Sequence, residues 1–333
     1  MEFNVPFLKP KSVDCSDLPL FDFEKFSNKE LIGNGGYGAV FTAEYRQHGV
    51  GNPAVTLVIK KMLGEDLENK KNFVKEARIL KELEHPNIVH GNVQYTTGAY
   101  SRPFGINLKV SSLAEFVATL DSFNCEGCDS PHIFSGICKD IATGLQYLHN
   151  KDIAHRDLKP ANVLVSNQHY CKLSRVEIGK AWKECSVVCK LADFGESRSR
   201  EVQTQSILKS QTNRVNRGTP VYMAPEILVD ATRLAVATIE DMKMADIWAL
   251  GMTLFVLLNP CVKYPYQREI ERATEKGQTS HQRLEGILAD KKIPIEPIKY
   301  QHKHATDWYS IQMIYKECVQ FSPESRPMIN KVI

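Results

Sequence analysis

Four short strings in a fixed order constrain this chain more than anything else in it. A glycine loop, Gly33-Asn34-Gly35-Gly36-Tyr37-Gly38, precedes His155-Arg156-Asp157-Leu158-Lys159-Pro160-Ala161-Asn162, which precedes Asp193-Phe194-Gly195 and then Ala224-Pro225-Glu226. One such string could be chance. All of them together, at spacings that let them converge on one cleft, demand a fold that gathers distant polar residues around a common centre.

Gly33, Gly35, Gly38 and Val40 fit the pattern G-x-G-x-x-G-x-V. Glycine is needed where backbone must approach phosphate oxygens closely or take up positive φ. Dinucleotide-binding folds use the same glycine spacing, but there the loop opens a helix, and an acid for the ribose follows about 20 residues on. Here the loop runs into the alternating stretch Val40-Phe41-Thr42-Ala43-Glu44-Tyr45, and Lys60 stands at a similar distance. Ile32, Asn34, Gly36 and Tyr37 complete the candidate nucleotide loop. The bland alternative is a glycine-rich hairpin that holds no ligand.

Lys60 ends the β-rich run Val55-Thr56-Leu57-Val58-Ile59-Lys60. Downstream, 69–83 has helical periodicity, with Phe73, Ala77, Leu80 and Leu83 on one stripe, and Glu76 falls within that stripe. A carboxylate facing a core is costly unless paired, and Lys60 is its natural partner. Lys61 competes for the role, but strand alternation turns it to the opposite face.

These strings, in this order, resemble the eukaryotic protein kinase superfamily, serine/threonine type, over nearly the whole chain. The resemblance implies an α+β, bilobed fold: a small antiparallel β-sheet lobe with one key helix, and a larger, mainly helical lobe. It implies an N-terminal extension at 1–25 and a kinase domain at 26–333, divided into lobes at 26–111 and 112–333. ATP and Mg²⁺ are the implied cofactors, and protein Ser or Thr hydroxyls the acceptors. Lys60, held by Glu76, would face the α- and β-phosphates. Asp157 would orient and deprotonate the acceptor, Lys159 would point toward the γ-phosphate, and Asn162 and Asp193 would hold the metal. Thr219, in Gly218-Thr219-Pro220-Val221-Tyr222-Met223-Ala224-Pro225-Glu226, would contact Asp157 and Lys159 from the substrate platform. Arg156 and Arg198 would face a phosphate placed on the activation loop by an upstream kinase, with Thr204, Ser206, Ser210 and Thr212 as candidate acceptors. A flexible solvated loop is the plainer reading of that stretch. His155 would be structural, Asp246 would brace the catalytic loop, and Glu226 would pair with Arg326. Two rivals remain: a pseudokinase scaffold that binds partners without phosphoryl transfer, and a kinase of small molecules or lipids.

Composition excludes other classes. The net charge of +3 is too small to argue for nucleic acid or a membrane surface as partner. The longest apolar run, Ile247 to Leu258, is too short to span a bilayer. Nine scattered cysteines without an export leader point to free thiols in a reducing cytoplasmic or nuclear setting. The same run, opened by Asp246, reads as the buried central helix of the larger lobe, with Asp246 at its start accepting backbone N–H groups.

Some stretches depart from the family pattern. The region 95–112 should carry a strand, the adenine-contacting hinge and the start of a helix, yet no acidic hinge residue stands there. An insertion separates Val165 from Val187 where a tight turn is usual. Cys125 and Cys128, near His132, supply only half of a zinc spacing and read as an ordinary surface loop. The remaining histidines, including the cluster His302-Lys303-His304, read as solvated surface.

Overall fold

Strand alternation in the N-terminal part and apolar stripes at helical spacing in the rest predict where the backbone pairs and where it coils. The computed structural model describes residues 26–35, 38–45, 55–61, 67–89, 94–96, 99–103, 111–122, 131–166, 187–199, 219–229, 237–274, 279–304 and 308–332. The chain divides into two compact units, Met1–Leu83 with His90–Asn107, and Glu84–Val89 with Leu108–Ile333.

In the first unit, β1 (Ser27–Gly35), β2 (Gly38–Tyr45), β3 (Val55–Lys61), β4 (Gln94–Thr96) and β5 (Ala99–Pro103) form one antiparallel sheet, in the order β1-β2-β3-β5-β4. The register pairs Gly35 with Gly38, so the glycine string falls where β1 passes into β2. A register shift between Leu31 and Gly33 puts a bulge at its entrance. Lys60 stands opposite Val40 on one side and Tyr100 on the other. Helix α1 (Leu67–Glu82) buries Phe73, Val74, Ala77 and Leu80, together with Glu76. The expected hinge falls largely on 104–110, outside the described residues.

The second unit carries two small sheets. One runs β6 (Ser111–Ser112), β8 (Val163–Ser166), β9 (Val188–Leu191), and the other pairs β7 (Ile153–Ala154) with β10 (Arg198–Ser199), all antiparallel. Both ends of the 167–186 insertion sit on the β8–β9 pair, and the insertion itself lies outside the described residues. The helices are α2 (Leu113–Ser122), α3 (Pro131–Asn150), α4 (Pro225–Leu228), α5 (Ile239–Leu258), α6 (Gln267–Thr274), α7 (Ser280–Ala289), α8 (Gln301–His304) and α9 (Tyr309–Cys318). On α3 the stripe Ile137, Ile141, Leu145 and Leu148 is wholly buried.

From Ile247 to Leu258, helix α5 is apolar on every face because it is enclosed on every face; Ile247, Trp248, Leu250, Leu254 and Leu258 expose nothing. A capping box starts it: Thr238 Oγ1 accepts from the Asp241 N–H, and the Asp241 carboxylate accepts from the Thr238 N–H. Helix α5 packs against α9 at Gly251, where an added Cβ would lie 2.6 Å from Val319 Cγ1 and 2.9 Å from Cys318 Cβ. Close approach of the two helices is the reason for that glycine. Among the described residues, no helix is long and apolar enough to cross a membrane.

His304 corrects the expectation of a solvated histidine. It is only 5% exposed, with Nε2 donating to the Leu258 carbonyl at 2.9 Å and Nδ1 facing Glu296 Oε2 at 3.3 Å. Sequence spacing does not reveal this, because both acceptors come from outside its own short helix.

Candidate active site

The loop between β7 and β8 holds most of the candidate residues, and α5 holds the loop. Asp246 lies two turns inside α5 rather than at its start, so it caps nothing on its own helix; that earlier expectation is corrected. The helix begins instead at Thr238, where polar side chains cap the first turn. The Asp246 carboxylate accepts the backbone N–H of His155 at Oδ2 and of Arg156 at Oδ1, each at 2.8 Å. His149, at the end of α3, donates from Nε2 to the same Oδ2 at 3.0 Å. With three donors, this buried carboxylate is satisfied, as burial of a charge requires.

His155 is fully buried. Its Nε2 donates to the Ala192 carbonyl at 3.1 Å, and its Nδ1 accepts from the Asp157 N–H at 3.4 Å. Those partners fix the tautomer with the proton on Nε2. The imidazole lies 5.2 Å from the Phe194 ring, and the Ser197 hydroxyl donates to the His155 carbonyl at 3.1 Å. Arg156 takes φ 67° and Asp193 φ 60°, the left-handed region that non-glycine residues avoid. Such strain costs about 1–3 kcal/mol per residue and persists only where neighbours over-determine it. The pairing of Arg198 with Ala154 and the donation of Arg156 Nη1 to the Glu196 carbonyl at 3.1 Å supply that support.

Around Asp157 the side chains converge. Its Oδ2 accepts from Lys159 Nζ at 2.7 Å and from Asn162 Nδ2 at 2.9 Å, while Oδ1 accepts the Thr219 N–H at 3.2 Å. Asn162 Nδ2 also donates to the Asp157 carbonyl at 2.8 Å, and Lys159 Nζ to Thr219 Oγ1 at 2.8 Å. A single 3₁₀ turn, Pro160–Asn162, delivers the asparagine. Thr219 opens another, Pro220–Tyr222, which leads into α4. A recess beside the carboxylate is lined by Asp157, Thr219, Met223, Ile227, Met242 and Ala245. Asp193 follows β9 and is exposed, its Oδ1 3.5 Å from the Gly195 nitrogen.

Glu226 and Arg326 form a bidentate pair, Nη1 to Oε1 at 2.6 Å and Nη2 to Oε2 at 2.7 Å. Arg326 also donates to the carbonyls of Gln320 and Met244 and lies 5.2 Å from the Trp248 ring. Asp157, Lys159, Asn162 and Thr219 are thus in direct contact, and Arg156 and Asp246 are bonded behind them. In the first unit, Ile32, Gly33, Asn34, Gly35, Gly38 and Val40 are placed by their strands. Gly36 and Tyr37 lie outside the described residues, as do the candidate acceptors Thr204, Ser206, Ser210 and Thr212, and likewise Cys125 and Cys128. Of Lys60 the backbone is placed, and of Glu76 the burial.

His149 likewise corrects the expectation of solvated histidines, being buried against Asp246. It sits four residues after Leu145 and eight after Ile141, on the same buried stripe that singled out Glu76 on its helix. The same rule, applied to α3, finds it.

Residues 26–333 match the protein kinase domain family. The chain belongs to the protein kinase family. It is 30% identical over 259 residues to human serine/threonine-protein kinase ULK1, covering 77% of this chain and 21% of that protein. It is 28% identical over 266 residues to the DNA damage response protein kinase DUN1 of Saccharomyces cerevisiae, covering 78% of this chain and 47% of the relative. With mouse serine/threonine-protein kinase 33 it shares 28% over 259 residues, covering 77% of this chain and 46% of the relative. This protein kinase chain therefore spans about a fifth to a half of the length of these curated relatives.

Proposed function

We propose that the chain is a serine/threonine protein kinase that transfers the γ-phosphoryl of ATP to a protein hydroxyl. One observation carries the reading: the Asp157 carboxylate is held by Lys159, Asn162 and Thr219 in a way that leaves only Oδ1 with room for a further donor. The acceptor hydroxyl binds there, and its proton passes to Asp157 as its oxygen attacks the γ-phosphorus and ADP departs. Lys159 uses two of its three N–H groups on Asp157 and Thr219, which keeps the third for the incoming phosphate.

The residues suited to Mg²⁺ are Asn162 and Asp193. Both amide contacts of Asn162 to Asp157 are made through Nδ2, so Oδ1 is the atom for a cation, and the donor set is all oxygen, as a hard ion requires. When bound, the ion offsets the charge of the β- and γ-phosphates. In the same reading Lys60 holds the α- and β-phosphates, Glu76 is its buried partner, and the glycine string from Gly33 to Gly38 covers the triphosphate. Arg156 and Arg198 receive a phosphate on the activation loop; full activity in protein shown by mass mapping to be unphosphorylated would remove that part.

The test is incorporation of labelled phosphate from ATP by wild type and by Asp157→Asn. The amide keeps the shape but cannot take a proton, so the rate should fall about 10²- to 10⁴-fold. Equal incorporation by both would exclude Asp157 as the base. None in the folded, activated wild type would favour a scaffold.

A further inference from the structure

We propose that the strap 291–299 and an exposed flank of α9 form a docking ledge for an acidic, apolar segment of the protein substrate, apart from the residues that hold the acceptor hydroxyl. The kinetic half of this inference rests on the reading above. Nine large apolar side chains stand exposed among the described residues, and five of them, Ile293, Ile295, Ile298, Tyr309 and Met313, fall in this one stretch. Exposed apolar residues scattered singly need no explanation, but a cluster marks a surface that another molecule covers. Ile298, at 81%, is the most exposed of the nine. The strap and the helix meet where the Glu296 carboxylate accepts from Gln312 Nε2. Ile295 and Ile298 flank Glu296 on the strap, and Tyr309 and Met313 share a flank of α9 about 60–100° round from Gln312.

The ledge is formed before anything binds. The Ile295 N–H donates to Glu269 Oε1 at 2.8 Å, and the Tyr266 hydroxyl donates to the Lys292 carbonyl at 3.2 Å, so the strap is held from the α6 side. A surface already in place loses little entropy when a partner arrives. Alternation along the strap turns Ile293 and Ile295 to solvent and buries Pro294 between them. Pro294 and Pro297 have no N–H to offer, so an incoming chain is read through its side chains and not added as a strand. Charge selects the occupant. Glu269 and Glu296 spend their carboxylates inward, on the Ile295 N–H and on Gln312 with His304. Lys291, Lys292, Lys299 and Lys316 stand exposed near the apolar residues against Asp290 and Glu317, and Asp290 is taken by Lys292 at 2.7 Å. That net positive rim complements carboxylates. Helix α7, which leads into the strap, also packs against α4, the helix that follows the substrate platform. The ledge is thereby tied to the surface where the acceptor chain lies.

Fluorescence anisotropy with short labelled peptides free of Ser, Thr and Tyr tests this: one alternates leucine with glutamate, one leucine with lysine, one glycine with glutamate. Wild type should prefer leucine–glutamate over the others by about ten-fold, less so as salt rises. Ile298→Asp should weaken that binding about ten-fold. Lys291→Glu with Lys299→Glu should turn the preference toward leucine–lysine. These side chains are exposed, so the variants should melt as wild type does. An acceptor peptide extended by the leucine–glutamate segment should show a KM about ten-fold below that of the bare acceptor at equal kcat, and Ile298→Asp should erase the difference. Equal binding of all the peptides, or of none, overturns the ledge. So does capture of wild type, but not of Ile298→Asp, by phosphatidylserine vesicles with the peptides ignored, which would make it a membrane face. A concentration-dependent dimer in sedimentation that Ile298→Asp abolishes, again with the peptides ignored, would make it a contact between copies. Wild-type protein that binds leucine–glutamate yet transfers no phosphate would defeat the proposed activity alone.

Discussion

At the scale of single residues, the decisive groups are those whose polar atoms are all used. Arg326 directs its guanidinium at a carboxylate, two carbonyls and an indole face, so a lysine, with one point of charge and no fork, cannot stand in for it. Breaking a buried pair by removing one partner costs about 3–5 kcal/mol. Arg326→Met should lower the unfolding free energy by that much in denaturant titration, and Arg326→Lys by somewhat less. His304 offers a different test. Burial alone would push its imidazole down, but hydrogen bonds to Glu296 and to the Leu258 carbonyl outweigh this and hold it above the ordinary value of 6.5. The same contact with His304, joined by Gln312, holds the Glu296 carboxyl below 4.5 against burial, while Lys316 nearby disfavours the charged imidazole. A raised histidine stabilises the fold fully below its unfolded value and loses that contribution as pH climbs through the folded one. A depressed glutamate contributes above its unfolded value and loses it as pH falls through the folded one. Wild type should therefore lose stability as pH rises past 6.5 more steeply than His304→Gln, by urea midpoints across that range.

At the scale of elements, helix glycines separate into two kinds. Gly251 lies where α5 meets Val319 and Cys318, and Gly144 on α3 lies where a Cβ would stand 2.8 Å from the Asn87 carbonyl, which accepts the Leu191 N–H. Gly136 and Gly286 have nothing within 4 Å of such a Cβ. Alanine at Gly251 or Gly144 should destabilise by about 1–3 kcal/mol through overpacking. At Gly136 or Gly286 it should stabilise by up to about 1 kcal/mol, since glycine is the poorer helix former. Thermal melts of the four variants would check the signs. Gly251 and Gly144 also show why packing is harder to read than periodicity: the stripes of α1 and α3 follow from spacing within one helix, whereas each glycine's neighbour comes from a segment far along the chain.

At the scale of the molecule, nucleotide should act on stability as well as chemistry. A ligand at a hundred times its Kd stabilises by about 2.7 kcal/mol, so Mg²⁺ with a non-hydrolysable ATP analogue should raise the melting temperature of wild type. Asp193→Ala should abolish the part of the shift that depends on the metal. Legible in the linear chain were the motifs, the class of fold they resemble, the apolar stripes, and the candidates Asp157, Lys159, Asn162 and Thr219 that the fold brings into contact, because each depends on residue type and local spacing. The resemblance also implied that Asp246 braces the loop and that Glu226 pairs with Arg326, as the hydrogen bonds have it, whereas other partnerships emerge only from the fold. Asp246 stands two turns inside its helix instead of capping it, His149 shares its carboxylate, and His304 is enclosed with Glu296. Those outcomes depend on which segments come into contact over long separations, where burial makes every unmatched polar atom costly and so selects partners that no local pattern encodes.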